Sequence, residues 1–223
     1  LVLLDPLTAD LLDGPFDVER RPEGPVLRAE REQVEPTRTL LGRPSPFVGR
    51  RRELGVLLGI LEECTAEPMA HAVLVTAPPG LGKSRLRHEF VRRIRHAGGP
   101  AVVWMARGNA MSAGSPFGLI ASAIRSAAGM REGEPLTARQ AKLRAWLGLR
   151  LRGEALARLT EFVGELVGVP TLEDPSVQLE VARRDPILMG DQIRRAWIDL
   201  LQAECGARPL VLVLEDLHWG DLP

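Results

Sequence analysis

The chain has 223 residues, 45% hydrophobic and 26% charged, proportions ordinary for a soluble globular protein. Its 29 basic and 29 acidic residues cancel, which argues against a non-specific binder of nucleic acid or of an anionic membrane, though not against a local basic patch. No apolar run approaches a membrane span, and no basic-then-apolar leader opens the chain. Cys64 and Cys205 are too far apart in sequence to suggest a disulfide framework or a metal-ligand pattern, and His71, His88, His96 and His218 lack zinc-ligand spacing. The expected compartment is the cytoplasm.

Residues 1–30 read as strand, short helix, strand, strand. Pro6 opens the helix and Gly14 closes it. "FDVERR" and "PVLRAE" alternate as a hairpin around Pro22-Glu23-Gly24. This is too little to bury a core, so 1–30 is expected to be the C-terminal remnant of an upstream domain. Residues 31–46 hold three prolines without periodicity and read as a linker. A domain is expected over 47–223. Its first helix places Leu54, Leu57, Leu58 and Leu61 on one face. An apolar strand over 72–76 should follow, then a glycine-rich turn. The next helix, 83–97, should bury Leu86, Phe90, Val91 and Ile94 and expose Arg85, Arg87, Arg92, Arg93 and Arg95. A second strand is expected at 101–106. Helices then start near Pro116, at a capping box of Thr137 and Gln140, and around Leu156, Leu159, Phe162, Val163 and Leu166. Asp185-Pro186 marks the start of another, which carries Ile193, Trp197, Leu200 and Leu201. The apolar run 210–214 is the third strand. Apolar strands alternating with helices imply a parallel sheet covered on both faces.

The stretch "APPGLGKS", 77–84, lies between an expected strand and an expected helix. It nearly spells G-x-x-x-x-G-K-[ST], the loop whose backbone N–H groups cradle phosphates. Gly80 and Gly82 supply the permissive backbone, and the N-terminus of the helix adds partial positive charge. Lys83 would neutralise the β- and γ-phosphates, and Ser84 would place its hydroxyl on Mg²⁺. Lys83 is one of only two lysines among 29 basic residues, and an arginine cannot replace a compact ammonium packed on phosphates. Pro78 and Pro79 lack N–H donors, but a cradle built from residues 80–85 does not need them. Ala77 stands where the motif has its first glycine; if a glycine-only conformation is required there, affinity should suffer.

Glu215 and Asp216 end the last apolar strand. Carboxylates at the carboxyl end of a buried strand are costly to desolvate without a partner, and ligands of open α/β sheets bind outside those ends. Glu215 is expected to hold Mg²⁺ through water and Asp216 to orient or deprotonate the attacking water, although the two roles are interchangeable at this level. His218-Trp219 reads equally well as a surface histidine with a packing tryptophan or as a wall beside the γ-phosphate.

Together "PFVGRRREL", "VTAPPGLGKSRL" and "LVLVLEDLHWGD" resemble the STAND class of P-loop ATPases within the AAA-like superfamily, over about residues 44–223; "GSPFGLI" and "DQIRRAWIDLL" also fit. The resemblance implies an α/β parallel-sheet P-loop NTPase fold, three-layered αβα, with a helical insertion between the second and third strands. It implies ATP or ADP with Mg²⁺ as ligands. Val48, Gly49 and Arg50 would lie against the adenine, and Pro79, Gly80, Leu81, Gly82, Lys83, Ser84 and Arg85 would hold the phosphates. It further implies a conformational switch in a bacterial regulator, with a kinase or cyclase-like domain upstream, helical repeats downstream and nucleotide-dependent self-association. Residues 1–30 resemble the last strands of a class III cyclase homology domain.

In that family a strand beyond the acidic pair inserts between those of 72–76 and 210–214, and a further strand and a lid follow. Such a chain ending at Pro223 would have a vacant slot in its sheet, low stability by itself and little or no hydrolysis. Other readings of the same residues are a P-loop phosphotransferase, an origin-recognition-type DNA-associated ATPase and a non-hydrolysing nucleotide-binding scaffold.

Overall fold

The computed structural model describes residues 2–12, 16–30, 39–40, 43–44, 47–96, 98–99, 101–108, 116–131 and 133–220. The chain divides into two compact units, Leu1–His96 and Ala97–Pro223.

The first unit begins as the sequence predicts. Strand β1 (Val2–Leu3), helix α1 (Pro6–Leu12), strand β2 (Phe16–Arg21) and strand β3 (Gly24–Glu30) form an antiparallel sheet in the order β1-β3-β2. The predicted turn joins β2 to β3, with Arg21 paired to Gly24. Ala9 and Val26 are among its buried apolar side chains. The expected C-cap at Gly14 lies outside the described residues. Within the stretch read as a linker, two-residue strands β4 (Thr39–Leu40) and β5 (Arg43–Pro44) pair antiparallel, a contact that its lack of periodicity did not announce.

Helix α2 (Arg51–Ala66) buries Leu54 and half-buries Leu57, Leu58 and Leu61, the predicted stripe. It packs against helix α3 (Lys83–His96), which buries Leu86, Val91 and Ile94. Between them the expected strand 72–76 does not form. Residues 71–78 have no ladder partner, and Val73, Leu74 and Val75 are exposed. An isolated apolar run has β-propensity but nothing to satisfy its backbone, and a strand exists only as part of a pair.

Helix α3 also departs from its simple amphipathic reading. Arg85 and Arg87 are half-buried, and Glu89 is only 4% exposed. Glu89 accepts from Arg92 through Nε (2.9 Å) and Nη2 (2.6 Å) and from Arg93 Nε (3.1 Å), an i,i+3 and i,i+4 arrangement. The Arg92 hydrogen bonds, aided by Arg93, hold its carboxyl down to about 2, against the opposing effect of burial.

In the second unit strand β6 (Val102–Arg107) pairs in parallel with strand β7 (Leu210–Glu215), in register from Val102 opposite Leu210 to Arg107 opposite Glu215. Parallel neighbours need a crossover. Here it comprises helices α4 (Gly118–Ala127), α5 (Leu136–Leu147), α6 (Gly153–Val167), α7 (Val177–Arg184) and α8 (Pro186–Ala207), the helical insertion expected between these strands. Helix α4 lies on β6, α6 packs on α4, α5 and α8, and α7 packs on α8. Their buried faces meet in one core containing Phe162, Ile124, Leu143, Leu159, Leu179 and Leu200. Trp104 of β6 reaches into it, with ring centroids 5.4 Å from Trp146 and 6.3 Å from Trp197.

The start of α8 follows the predicted device. Asp185 Oδ1 accepts from the N–H groups of Ile187 (2.9 Å) and Leu188 (3.3 Å), with Pro186 at the first helical position. The expected capping box of Thr137 and Gln140 is absent. Pro135 caps α5 without a side-chain bond, and Gln140 Nε2 instead donates to the Pro170 carbonyl at 2.8 Å. A long-range acceptor has taken the side chain that the local motif needed. Helix α7 has no counterpart among the helices expected from sequence; Ser176 caps it and in turn binds Glu161 of α6. Among the described residues no helix is long and apolar enough to cross a membrane.

Phe162 is fully buried, so Phe162→Ala should destabilise the second unit by about 3–5 kcal/mol in urea titrations. Glu89 ionises far more readily folded, at about 2, than at its ordinary 4.5. The stabilisation is complete above about pH 4.5 and lost as pH falls from there through about 2. The stability difference between wild type and Glu89→Gln should therefore shrink across that window; a difference independent of pH would refute the assignment.

Candidate functional site

The glycine-rich turn leads directly into α3. Gly80 and Gly82 adopt left-handed backbone, φ 80° and 78°, which explains glycine at both positions. Ala77 does not; it is absent from the residues with positive φ, so no glycine-only conformation is required where the motif departs from G-x-x-x-x-G-K-[ST]. Leu81 closes a weak turn onto the Pro78 carbonyl at 3.5 Å. The N–H groups of Gly80, Gly82, Lys83 and Ser84 make no backbone hydrogen bond among the described residues. Those of Gly82, Lys83 and Ser84 are the orphan donors of a helix N-terminus, that of Gly80 belongs to the turn ahead of it, and together they suit an anion.

Lys83 is half-buried, and its ammonium folds back on the loop. Nζ donates to the carbonyls of Ala77 (2.6 Å) and Pro78 (3.2 Å). The loop thus holds its cation at its own mouth on neutral acceptors, which a phosphate oxygen can displace. Ser84 is exposed, and Pro79 stands in the turn ahead of Gly80. Space is open at Gly80 and Gly82, where an added Cβ would meet no atom within 4 Å. These features fit a phosphate chain. Val48, Gly49 and Arg50 form a bend ahead of α2 in which Val48 (82%) and Gly49 are exposed and Arg50 is half-buried. Gly49 and Arg50 are consecutive left-handed residues, φ 74° and 53°.

In the second unit Glu215 is the last residue of β7, and its carbonyl accepts from Gly108 N at 2.9 Å. Asp216 follows in left-handed conformation, φ 53°, and opens a 3-10 turn, Leu217–Trp219. The register of the ladder brings Arg107 to the same place, and its Nε donates to Asp216 Oδ2 at 2.7 Å. The carboxylate raises the Arg107 guanidinium above its ordinary value, with a smaller contribution from Glu215. Asp216 Oδ1 has no partner among the described residues. Sequence reasoning missed Arg107. It lies far from Asp216 in the chain, and only the assumption that the strand of 101–106 pairs in register with that of 210–214 would have found it.

Gly108, just beyond β6, allows the close approach. A Cβ there would lie 2.6 Å from the Asp216 carbonyl oxygen and 3.0 Å from Trp219 Cβ. His218 and Trp219 lie with ring centroids 4.9 Å apart and planes tilted by 46°, and both are exposed. Among the described residues no group of three or more His, Cys, Asp or Glu side chains is gathered around a metal position.

Gly108→Ala should push the Asp216 turn off the end of β6 at a cost of about 1–3 kcal/mol, read as a lower urea midpoint together with a changed near-ultraviolet dichroism of Trp219. An unchanged midpoint would mean that the close approach is not required.

No curated protein and no solved structure matched the chain. A family model described as "AAA ATPase domain" matches residues 46–222, which include the turn at 77–84, both carboxylates and the whole helical crossover. On that match, over most of its length, the chain belongs to the AAA ATPase domain family of nucleotide-binding ATPase modules.

Proposed function

We propose that the chain is the ATP-binding switch module of a STAND-type bacterial regulator, using ATP and Mg²⁺ and hydrolysing slowly. The observation that carries the reading is the Lys83 ammonium resting on the Ala77 and Pro78 carbonyls, beside orphan N–H donors at the head of α3. In this reading Lys83 exchanges those carbonyls for β- and γ-phosphate oxygens. The N–H groups of residues 80–85 bind the same phosphates, and the bend at 48–50 bears on the adenine. The Ser84 hydroxyl and, through water, Glu215 would hold Mg²⁺, an ion that keeps most of its ligands from water and phosphate. The ion would add charge neutralisation on the phosphate oxygens. Asp216, anchored at Oδ2 by Arg107, presents Oδ1 to orient or deprotonate the attacking water.

The regulatory setting rests on the resemblance of the three motifs to the STAND class, and with it the cyclase-like character of 1–30, the helical repeats downstream and nucleotide-dependent self-association. The antiparallel β1-β3-β2 sheet with α1 is compatible with the end of such a domain.

Lys83→Ala should weaken ATP binding at least about tenfold by calorimetry, the loss of a charge-assisted contact. Asp216→Asn should bind ATP normally and lose about 10²-fold in phosphate release. If Lys83→Ala binds ATP as wild type does, the loop assignment fails. If Asp216→Asn hydrolyses normally, the water-activating role moves to Glu215.

A further inference from the structure

The arginines of α3 are not simply a solvated face. Phe47, ahead of α2, and Arg51 and Leu54 at its start face Arg85, His88, Glu89, Arg92 and Arg93 of α3 across a cleft of about 420 Å³. That volume is typical of a small-molecule site. Among the described residues four guanidinium groups and one carboxylate line it, in a chain of zero net charge. Burial and the fields of Arg85, Arg87 and Arg92 depress His88 below its ordinary value, so the cations of the cleft near neutral pH are its arginines.

Glu89 gives the cleft its geometry. A carboxylate only 4% exposed is costly, yet this one takes both Nε and Nη2 of Arg92 and Nε of Arg93. The two guanidiniums are thereby held in fixed orientation, while Arg92 Nη1 and both Nη groups of Arg93 have no partner among the described residues. Their side chains are 46% and 54% exposed. Preorganised forks of this kind suit the tetrahedral oxygens of phosphate and lose little entropy on binding. Arg92 stands nine residues along α3 from Lys83, about 13 Å of helix rise. One phosphate group cannot serve both places.

We propose that the α2–α3 cleft is a second anion site, built on Arg92 and Arg93, that binds the phosphate chain of a small polyanion apart from the loop at 77–84. Phe47 and Leu54 offer an apolar floor for any organic group attached to that chain. The ligand is a polyphosphate, free or carried by a nucleotide. The site does not depend on the loop's binding ATP.

The test uses the Lys83→Ala protein, in which the loop has lost its ammonium, with inorganic tripolyphosphate as the probe in calorimetry. Tripolyphosphate should still bind, one per chain. Its affinity should fall at least about tenfold in Lys83→Ala carrying Glu89→Gln, Arg92→Gln and Arg93→Gln, which removes the forks without stranding a buried carboxylate. Arg51→Gln in the same background leaves the Glu89 network intact and should cost about threefold from lost charge alone. It decides the matter if the multiple variant does not fold. Tighter binding of ATP than of tripolyphosphate to Lys83→Ala, lost with the same forks, would identify the nucleotide-borne source; equal affinity would identify the free chain. Loss of all tripolyphosphate binding in Lys83→Ala alone, or unchanged affinity in both cleft variants, would overturn the proposal. So would a glutamate oligomer of matched charge that binds as tightly as tripolyphosphate, because the cleft would then read charge and not phosphate geometry.

Discussion

The parallel ladder between β6 and β7 is the contact on which the second unit depends. Parallel neighbours cannot be joined by a tight turn, so the chain must leave the sheet and return. Here the described part of the return path carries five helices, whose apolar faces close over Trp104 and one another. The ladder also sets the chemistry at its end. Because Arg107 falls opposite Glu215, its guanidinium meets the next residue, Asp216, and glycine at 108 lets the backbone turn pass close by. A shift of one residue in register would turn Arg107 to the other face of the sheet.

The first unit builds its site from a helix terminus. The start of α3 leaves N–H groups without helical partners, and the preceding glycines keep them open to solvent. Lys83 occupies the first helical position, and its chain is long enough to reach the carbonyls of 77 and 78. The same residues therefore end a loop, start a helix and store a cation. The second lysine shows the same use of a compact ammonium. Lys142 binds the Gly129 carbonyl at 2.8 Å and the Glu134 carboxylate, tying the turn between α4 and α5.

Charge is balanced overall but not locally. Glu89 sits almost buried among arginines of α3. In the second unit Glu204, 3% exposed, faces Arg150 with Nε and Oε2 3.6 Å apart, and neither atom has a hydrogen-bond partner. Both are carboxylates on helices whose amphipathic pattern would place charge in water. Periodicity counts apolar positions; it does not register a buried acid matched by a basic neighbour from the same or a distant element.

Much was legible in the chain itself wherever the cause is local. The N-terminal hairpin, the Asp185-Pro186 helix start, the leucine stripe of α2 and the loop-to-helix junction at Lys83 each rest on a few adjacent residues whose backbone preferences or hydrogen bonds decide the outcome. The turn at 77–84 belongs to this class, and its glycines adopt the left-handed conformations that the motif needs. What depends on a distant partner was decided only by the tertiary structure. The runs 72–76 and 210–214 are alike in sequence, yet only the second is a strand, because strand formation requires a neighbour to take its hydrogen bonds. Gln140 abandons its predicted local cap for the Pro170 carbonyl. The Arg107–Asp216 pair joins residues from opposite ends of the helical crossover. Local preference is written in consecutive residues, but pairing is a property of two segments, and the chain does not say beforehand which two will meet.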